Sequence, residues 1–410
     1  MTLQVTTTPA DLGFSAERLD RIGARFARYV EDGLLPGWLV AVTRRGQLAY
    51  VETAGYRDVE AALPVEHDTL FRIFSMTKPV TSVAAMMLYE QGVFELLDPV
   101  SRWIPAFSDM RVYRGGPPQS PATVPATEPI RVWHLLTHTA GLTYGFLNAD
   151  PVDAMYRAAG FDWTMPADLD LAGCVERVAE LPLLFEPGSS WNYSVATDVL
   201  GRLVEIWSGR PLDEFFATEI LGPLGMADTG FAVPDAERNR LATLYIPAPG
   251  TRTAVPIGRL GAVGSQPPAA LSGGGGLVST APDYLRFCQL LAGGGERDGV
   301  RLLSPRTLAY MTRNHLPGGQ DLAAFGRPIH AETPYRGVGF GLGFAVVSDA
   351  AAYKTLGSAG EFSWGGAAST AFFVDPAEEI TAVFLTQLLP STTHPIRTLL
   401  RQLVYQALTD

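Results

Sequence analysis

Apolar residues recur every three or four positions in AERLDRIGARFARYVE (16–31), with Leu19, Ile22, Phe26 and Tyr29 on one face, which predicts a helix. The period then drops to two. WLVAVTRRGQLAYVET (38–53) alternates around an Arg-Gly turn and reads as a β-hairpin. FRIFSMTKPVTSVAAMM (71–87) predicts a helix from about Ser75 to Gln91, stopped by Gly92. Helical spacing continues at 171–181, 195–207, 212–218 and 281–293. Two proline-rich stretches, 115–129 and 246–276, read as long loops, which in a compact chain are usually lids or walls, or simply mobile. Beyond them the period returns to two at 337–349, 365–375 and 380–388, the last two joined by a hairpin turning at Asp375-Pro376. A helix at 394–408 closes the chain. Strands at both ends around a helical middle imply one mainly antiparallel sheet flanked by helices and built from both termini, an α/β (α+β) fold. The expected division is a discontinuous sheet domain, 1–94 with 286–410, and an inserted, mostly helical domain, 95–285, with the active site between them.

Composition narrows the function. The chain has 410 residues, 47% of them hydrophobic and 18% charged, as an ordinary globular protein has. A net charge of −11 disfavours nucleic acid and anionic membrane as partners. The N-terminus lacks a basic region followed by an apolar core, and no apolar run is long enough to span a bilayer, so a cytoplasmic location is expected. Cys174 and Cys288 show no metal-type spacing and read as buried free thiols. His134 and His138 are spaced i, i+4, but no glutamate follows His134, so a structural role at a helix end outweighs a metal site.

One residue type stands out. Of 31 basic residues, only Lys78 and Lys354 are lysines. Lys78 lies three residues after Ser75, so on a helix the two share a side. A serine hydroxyl needs a base to become a nucleophile, and an amine desolvated among Phe71, Phe74, Met76 and Met86 could supply it. Arginine could not, because it does not give up its proton in proteins. The helix start would present free N–H groups to a developing anion. The G-x-S-x-G elbow of the α/β-hydrolases is absent from the chain.

S-x-x-K after an N-terminal hairpin, with LLTHTAGLTYG (135–145) and FEPGSSWNYSVATDVLGRLVE (185–205), resembles the serine β-lactamase and penicillin-binding-protein superfamily, and within it the class C β-lactamase-like family VIII carboxylesterases. The resemblance implies a β-lactamase/transpeptidase-like fold. It implies Tyr193, in NYSVATD, as a second general base. It puts Val195 where the family has an asparagine that holds a β-lactam side chain. It also puts Trp364-Gly365-Gly366 where β-lactamases have Lys-Thr-Gly, so that an aromatic wall replaces a carboxylate-binding cation and the two glycines admit substrate to the backbone. By the same mapping, the N–H groups of Ser75 and Ala367 form the oxyanion hole, and Lys354 is a surface residue. The implied activity is hydrolysis of small, fairly apolar esters through a Ser75 acyl-enzyme, with no metal or organic cofactor and a small-molecule ester as the substrate partner. Acyl transfer on the same scaffold, β-lactam or D-amino-acid peptide cleavage, and non-catalytic binding stay open as alternatives, as do the natural ester and the oligomeric state.

Overall fold

A computed structural model describes residues 3–261, 263–327 and 335–410 of the chain; Ala262, in the second proline-rich stretch, lies outside the described residues. The helix α1 (Ala16–Glu31) begins on the Ser15 side chain, which accepts from the N–H of Arg18, and buries the four residues that its periodicity marks. β1 (Gly37–Arg44) and β2 (Gln47–Asp58) form the expected hairpin, and β3 (Leu63–Pro64) extends it. The remaining strands come from the other end of the chain: β4 (Val338–Phe340), β5 (Ala345–Val347), β6 (Phe362–Gly365), β7 (Ala371–Asp375) and β8 (Ile380–Leu385). They make one eight-stranded antiparallel sheet in the order β4-β5-β6-β7-β8-β1-β2-β3. The two termini meet at its centre, where β1 pairs with β8 from Leu39↔Leu385 to Arg44↔Ile380.

Helices cover both faces. On one face, α1 and the C-terminal helix α6 (Ile396–Tyr405) pack on Trp38, Val40, Val42 and Phe384. On the other, Leu39, Ala41, Val383 and Leu385 face α2 (Thr77–Glu90) and α5 (Ala281–Ala292). β1 is therefore buried along its whole length, although its side chains still alternate between two cores. The helical middle adds α3 (Val132–Leu136) and α4 (Ala196–Ser208); α4 packs on α2. α2 is buried nearly all round, from Thr77 to Met86, so it forms the spine between sheet and helices. Among the described residues, no helix is long and apolar enough to cross a membrane.

Several sequence expectations need correction. The run 337–349 is two short strands, not one, because the chain reverses at Gly341–Gly343, where Gly343 has φ +97°. The run 365–375 likewise breaks at 366–370, between β6 and β7, so Ala367 lies in a turn and not on a strand. Alternation alone does not show where a strand folds back. The loop 115–129 contains part of a hairpin, Arg111–Gly115 against Ala122–Pro125. The loop 246–276 contains another, Tyr245–Pro247 against Ala254–Pro256. α3 ends at Leu136, so His134 and His138 do not share a helix. Cys174 and Cys288 are both free and buried, and Lys354 is exposed.

Candidate active site

Ser75 sits in a 3-10 turn, Phe74–Met76, that runs into α2 one residue before Thr77. Phe74 has φ +44°, a region that side chains avoid, so the turn presenting Ser75 is strained. Lys78 follows on the first turn of α2 and is 2% exposed. Its Nζ has three polar neighbours: the Gly274 carbonyl at 2.6 Å, the Tyr144 hydroxyl at 2.9 Å and Ser75 Oγ at 3.4 Å. A neutral amine has two hydrogens and one lone pair. With the hydrogens on Gly274 and Tyr144, the lone pair is left for the Ser75 hydroxyl, which is the arrangement a base requires.

Two tyrosine rings flank the amine. Nζ lies 4.6 Å from the centre of the Tyr193 ring and 5.2 Å from that of Tyr144. These contacts favour the ammonium once it forms. The sequence-predicted Tyr193 is thus at the site, but its buried hydroxyl has no partner among the described residues, and Tyr144 accepts the hydrogen bond from Lys78. Burial, then the charges of Asp198 and Tyr193, push the Tyr144 phenol well above its ordinary value, so it stays protonated. Tyr144 lies in the quoted stretch LLTHTAGLTYG, and its position there was the available signal.

His138 closes the far side of Tyr193. The two rings are 5.0 Å apart, and Trp191 and Phe340 complete the packing around His138. Its Nδ1 lies 3.2 Å from Ser194 Oγ. Burial first, and then the charge of Lys78, hold the imidazole neutral, well below its ordinary value. His134 instead caps α3, its Nδ1 accepting from the N–H of Arg131 at 3.0 Å.

The turn after β6 brings the second wall. A side chain on Gly366 would strike the Ile73 carbonyl and the Thr370 hydroxyl, so only glycine lets this turn lie against the backbone leading to Ser75. The turn is closed by Gly366 N–H donating to the Thr370 carbonyl at 2.9 Å. A side chain on Gly365 would meet the Arg397 guanidinium, which also donates to the Gly366 carbonyl at 3.0 Å. Trp364 packs edge-on to Phe340 and at a tilt to Tyr193, with ring centres 5.3 and 5.4 Å apart.

Two cavities meet at Ser75. The smaller, about 320 Å³, is lined by Trp364, Gly365, Gly366, Tyr193 and Tyr335 among others. The larger, about 560 Å³, is lined by Phe74, Tyr144, Phe161, Val195 and the 263–276 segment. Ser75, Phe146, Trp163 and Ala367 line both. The second proline-rich stretch is therefore a wall, as expected, whereas residues 115–129 line neither cavity. Tyr144, Phe146 and Trp163 stack in succession, with ring centres 4.7 and 4.6 Å apart, and line the larger cavity. Among the described residues, no group of three or more His, Cys, Asp or Glu is placed to hold a metal ion.

Comparison with known proteins places this geometry. The beta-lactamase family profile matches residues 22–406. Protein Rv1367c of Mycobacterium tuberculosis is 39% identical over 376 residues, covering 91% of this chain and 90% of that protein. Esterase EstB of Burkholderia gladioli is 34% identical over 420 residues, covering 98% of both. Among solved structures, EstCE1, described as a hydrolase with promiscuous acyltransferase activity, superposes with a TM-score of 0.79 at 30% identity, covering 98% of this chain and 99% of that one.

Proposed function

This chain belongs to the beta-lactamase family, and within it we propose that it is a serine carboxylesterase, cleaving small, fairly apolar esters through an acyl-enzyme on Ser75. One observation carries the reading: Ser75 Oγ, 3.4 Å from the Lys78 amine, stands where two cavities with largely apolar walls meet. The similarity to EstB supports it. In the first half-reaction, Ser75 Oγ bonds to the ester carbonyl carbon as its proton passes to Lys78. The charge gathers on the carbonyl oxygen, facing the N–H groups of Ser75 and Ala367. The intermediate collapses, the bond to the alcohol oxygen breaks, and that oxygen takes the proton of the Tyr193 hydroxyl, which the Lys78 ammonium replaces with its own; among the described residues that hydroxyl has no hydrogen-bond partner. Water repeats the sequence on the acyl-enzyme, with Lys78 again taking a proton. These steps use protein groups alone.

Trp364 and Val195 argue against efficient β-lactam turnover, since Trp364 supplies no cation for a carboxylate and Val195 no side-chain amide. The test is a paired assay of p-nitrophenyl butyrate and a chromogenic cephalosporin with wild type and Ser75→Ala. Fast ester turnover, weak cephalosporin turnover and loss of both in the variant are expected. Fast cephalosporin turnover overturns the esterase reading.

A second reading, transfer of the acyl group to an alcohol, is favoured by one feature: two cavities meet at Ser75, enough room for an acyl group and a second alcohol. EstCE1 is described as a hydrolase with promiscuous acyltransferase activity. Product analysis with and without added alcohol separates transfer from hydrolysis. We also propose the discontinuous division into 1–94 with 286–410 and 95–285, which the contribution of both termini to the sheet supports.

A further inference from the structure

Asp198, on the first turn of α4, is a buried carboxylate to which the mechanism above gives no task. Its Oδ1 accepts two hydrogen bonds, from Ser272 Oγ at 2.6 Å and from the Gly274 N–H at 2.8 Å. The carbonyl of that same Gly274 holds Lys78 Nζ at 2.6 Å, the shortest of the three contacts the amine makes. The glycine run 273–276 is threaded between α4 and α2 with no space for side chains at its first two positions. A Cβ on Gly274 would lie 2.6 Å from Asp198 Oδ2, and one on Gly273 would lie 2.8 Å from the Thr197 carbonyl. Gly273 is also tied to α2, its carbonyl accepting from Thr81 Oγ1 at 2.7 Å. The chain of contacts is thus Asp198 to Gly274 N–H, Gly274 carbonyl to Lys78, and Lys78 to Ser75.

We propose that Asp198 is a positioning residue for Lys78: through Ser272 and Gly274 it fixes the carbonyl that aims the amine at Ser75, and its negative charge favours the ammonium formed when Ser75 loses its proton. The proposal rests on the reading of Ser75 and Lys78 as the reacting pair. An uncharged acceptor would satisfy the two donors equally well. What a carboxylate adds is a countercharge, and burying one is unfavourable without a nearby cation. Burial does raise the Asp198 carboxyl, while the charge of Lys78 and the two hydrogen bonds oppose this. Around the amine stand Ser75 and Lys78 on their own turn, Tyr144, Tyr193, the neutral His138 and Asp198. Asp198 is the carboxylate among them.

The experiment measures p-nitrophenyl butyrate hydrolysis against pH for wild type, Asp198→Asn, Ser272→Ala and Ser75→Ala, with melting temperatures. Asp198→Asn is expected to lower kcat about 100-fold with little change in KM. The acidic limb of its kcat/KM profile moves to lower pH, because an ammonium without its countercharge loses its proton more readily. Ser272→Ala keeps the charge and loses one grip, so it lowers kcat about 5-fold and leaves the limb in place. A folded Asp198→Asn with wild-type kcat and an unmoved limb overturns the proposal, and so does a rate loss with an unmoved limb. If Asp198→Asn does not fold, a wild-type rate in Ser272→Ala overturns it, and a reduced rate with an unmoved limb supports it. A Ser75→Ala protein that keeps its activity would instead overturn the reading of Ser75.

Discussion

Replacing Gly366 by alanine would drive a methyl group into the Ile73 carbonyl and the Thr370 hydroxyl. Neither neighbour can retreat. Ile73 is fully buried, and its N–H is held by the Leu277 carbonyl at 3.1 Å. Thr370 is fully buried, and its carbonyl closes the turn on Gly366. The turn itself must therefore move away from Ser75, by about 1 Å, and carry the Ala367 N–H with it; a misplacement of that size costs about 100-fold in rate. The loss of one oxyanion donor costs a similar amount, about 3 kcal/mol of transition-state stabilisation. We expect kcat/KM for p-nitrophenyl butyrate to fall about 100-fold, mostly in kcat, with a stability loss of about 1–3 kcal/mol from overpacking. Gly365→Ala is the control. Its methyl meets the flexible far end of the Arg397 side chain and not the backbone, so even with the Arg397 bond to the Gly366 carbonyl broken the loss should be about 10-fold or less. Labelling of Ser75 by a fluorophosphonate should slow in the same order, because the phosphonyl oxygen uses the same donors. A Gly366→Ala enzyme within about threefold of wild type would refute the placing of Ala367 in the oxyanion hole.

Three further outcomes are expected. Tyr193→Phe keeps the ring beside Lys78 but removes the hydroxyl; alkyl esters should lose about 100-fold in kcat and p-nitrophenyl esters much less, since nitrophenolate leaves without a proton. Equal losses for both would remove Tyr193 from the leaving-group step. Trp364→Ala enlarges the smaller cavity, so the kcat/KM ratio of longer to shorter esters should rise, with about 3 kcal/mol of stability lost to the void; an unchanged ratio would rule Trp364 out as a specificity wall. His134 is held down to about 4 by burial and then by the charge of Arg131, and its Nδ1 must stay unprotonated to accept the Arg131 N–H. A depressed histidine contributes stability above its unfolded value near 6.5 that is lost as pH falls towards 4, at most about 3 kcal/mol. Urea denaturation at pH 7 and pH 4.5 should show that loss in wild type and less of it in His134→Gln, and equal pH dependence in the two would refute it.

What the sequence displayed best was local. Ser75 and Lys78 lie three residues apart in one segment, and the helix places them together without help from elsewhere. α1 was legible because Leu19, Ile22, Phe26 and Tyr29 spell out its buried face. What it hid was contact across the chain. Gly274 is 196 residues from Lys78, and nothing in a glycine run says which carbonyl will face an amine. Asp198 falls inside a stretch quoted for its tyrosine, and its own significance depends on Ser272 and Gly274, 74 and 76 residues away. The turn 366–370 was read as strand because β6 and β7 are both apolar and the residues between them, small and uncharged, carry no asparagine-glycine or proline signal. The price of that misreading was the register of Ala367.

Lysine usage supplies a last test that needs no assumption about substrate. The chain uses arginine at nearly every basic position and keeps lysine at two. Lys354 is exposed and ends a short helix at φ +61°, where an arginine would serve as well. Lys78 is buried against two tyrosine rings, a carbonyl and a serine. An arginine there would carry a permanent positive charge and could still donate to Gly274 and Tyr144, but it has no lone pair to offer Ser75. Charge and basicity are thus separable at one position. Lys78→Arg should retain the fold and lose at least about 1,000-fold in kcat, whereas Lys354→Arg should be indistinguishable from wild type. The assay is kcat on p-nitrophenyl butyrate beside a thermal melt. A folded Lys78→Arg protein with more than about a tenth of wild-type activity would show that a cation suffices and that the base lies elsewhere.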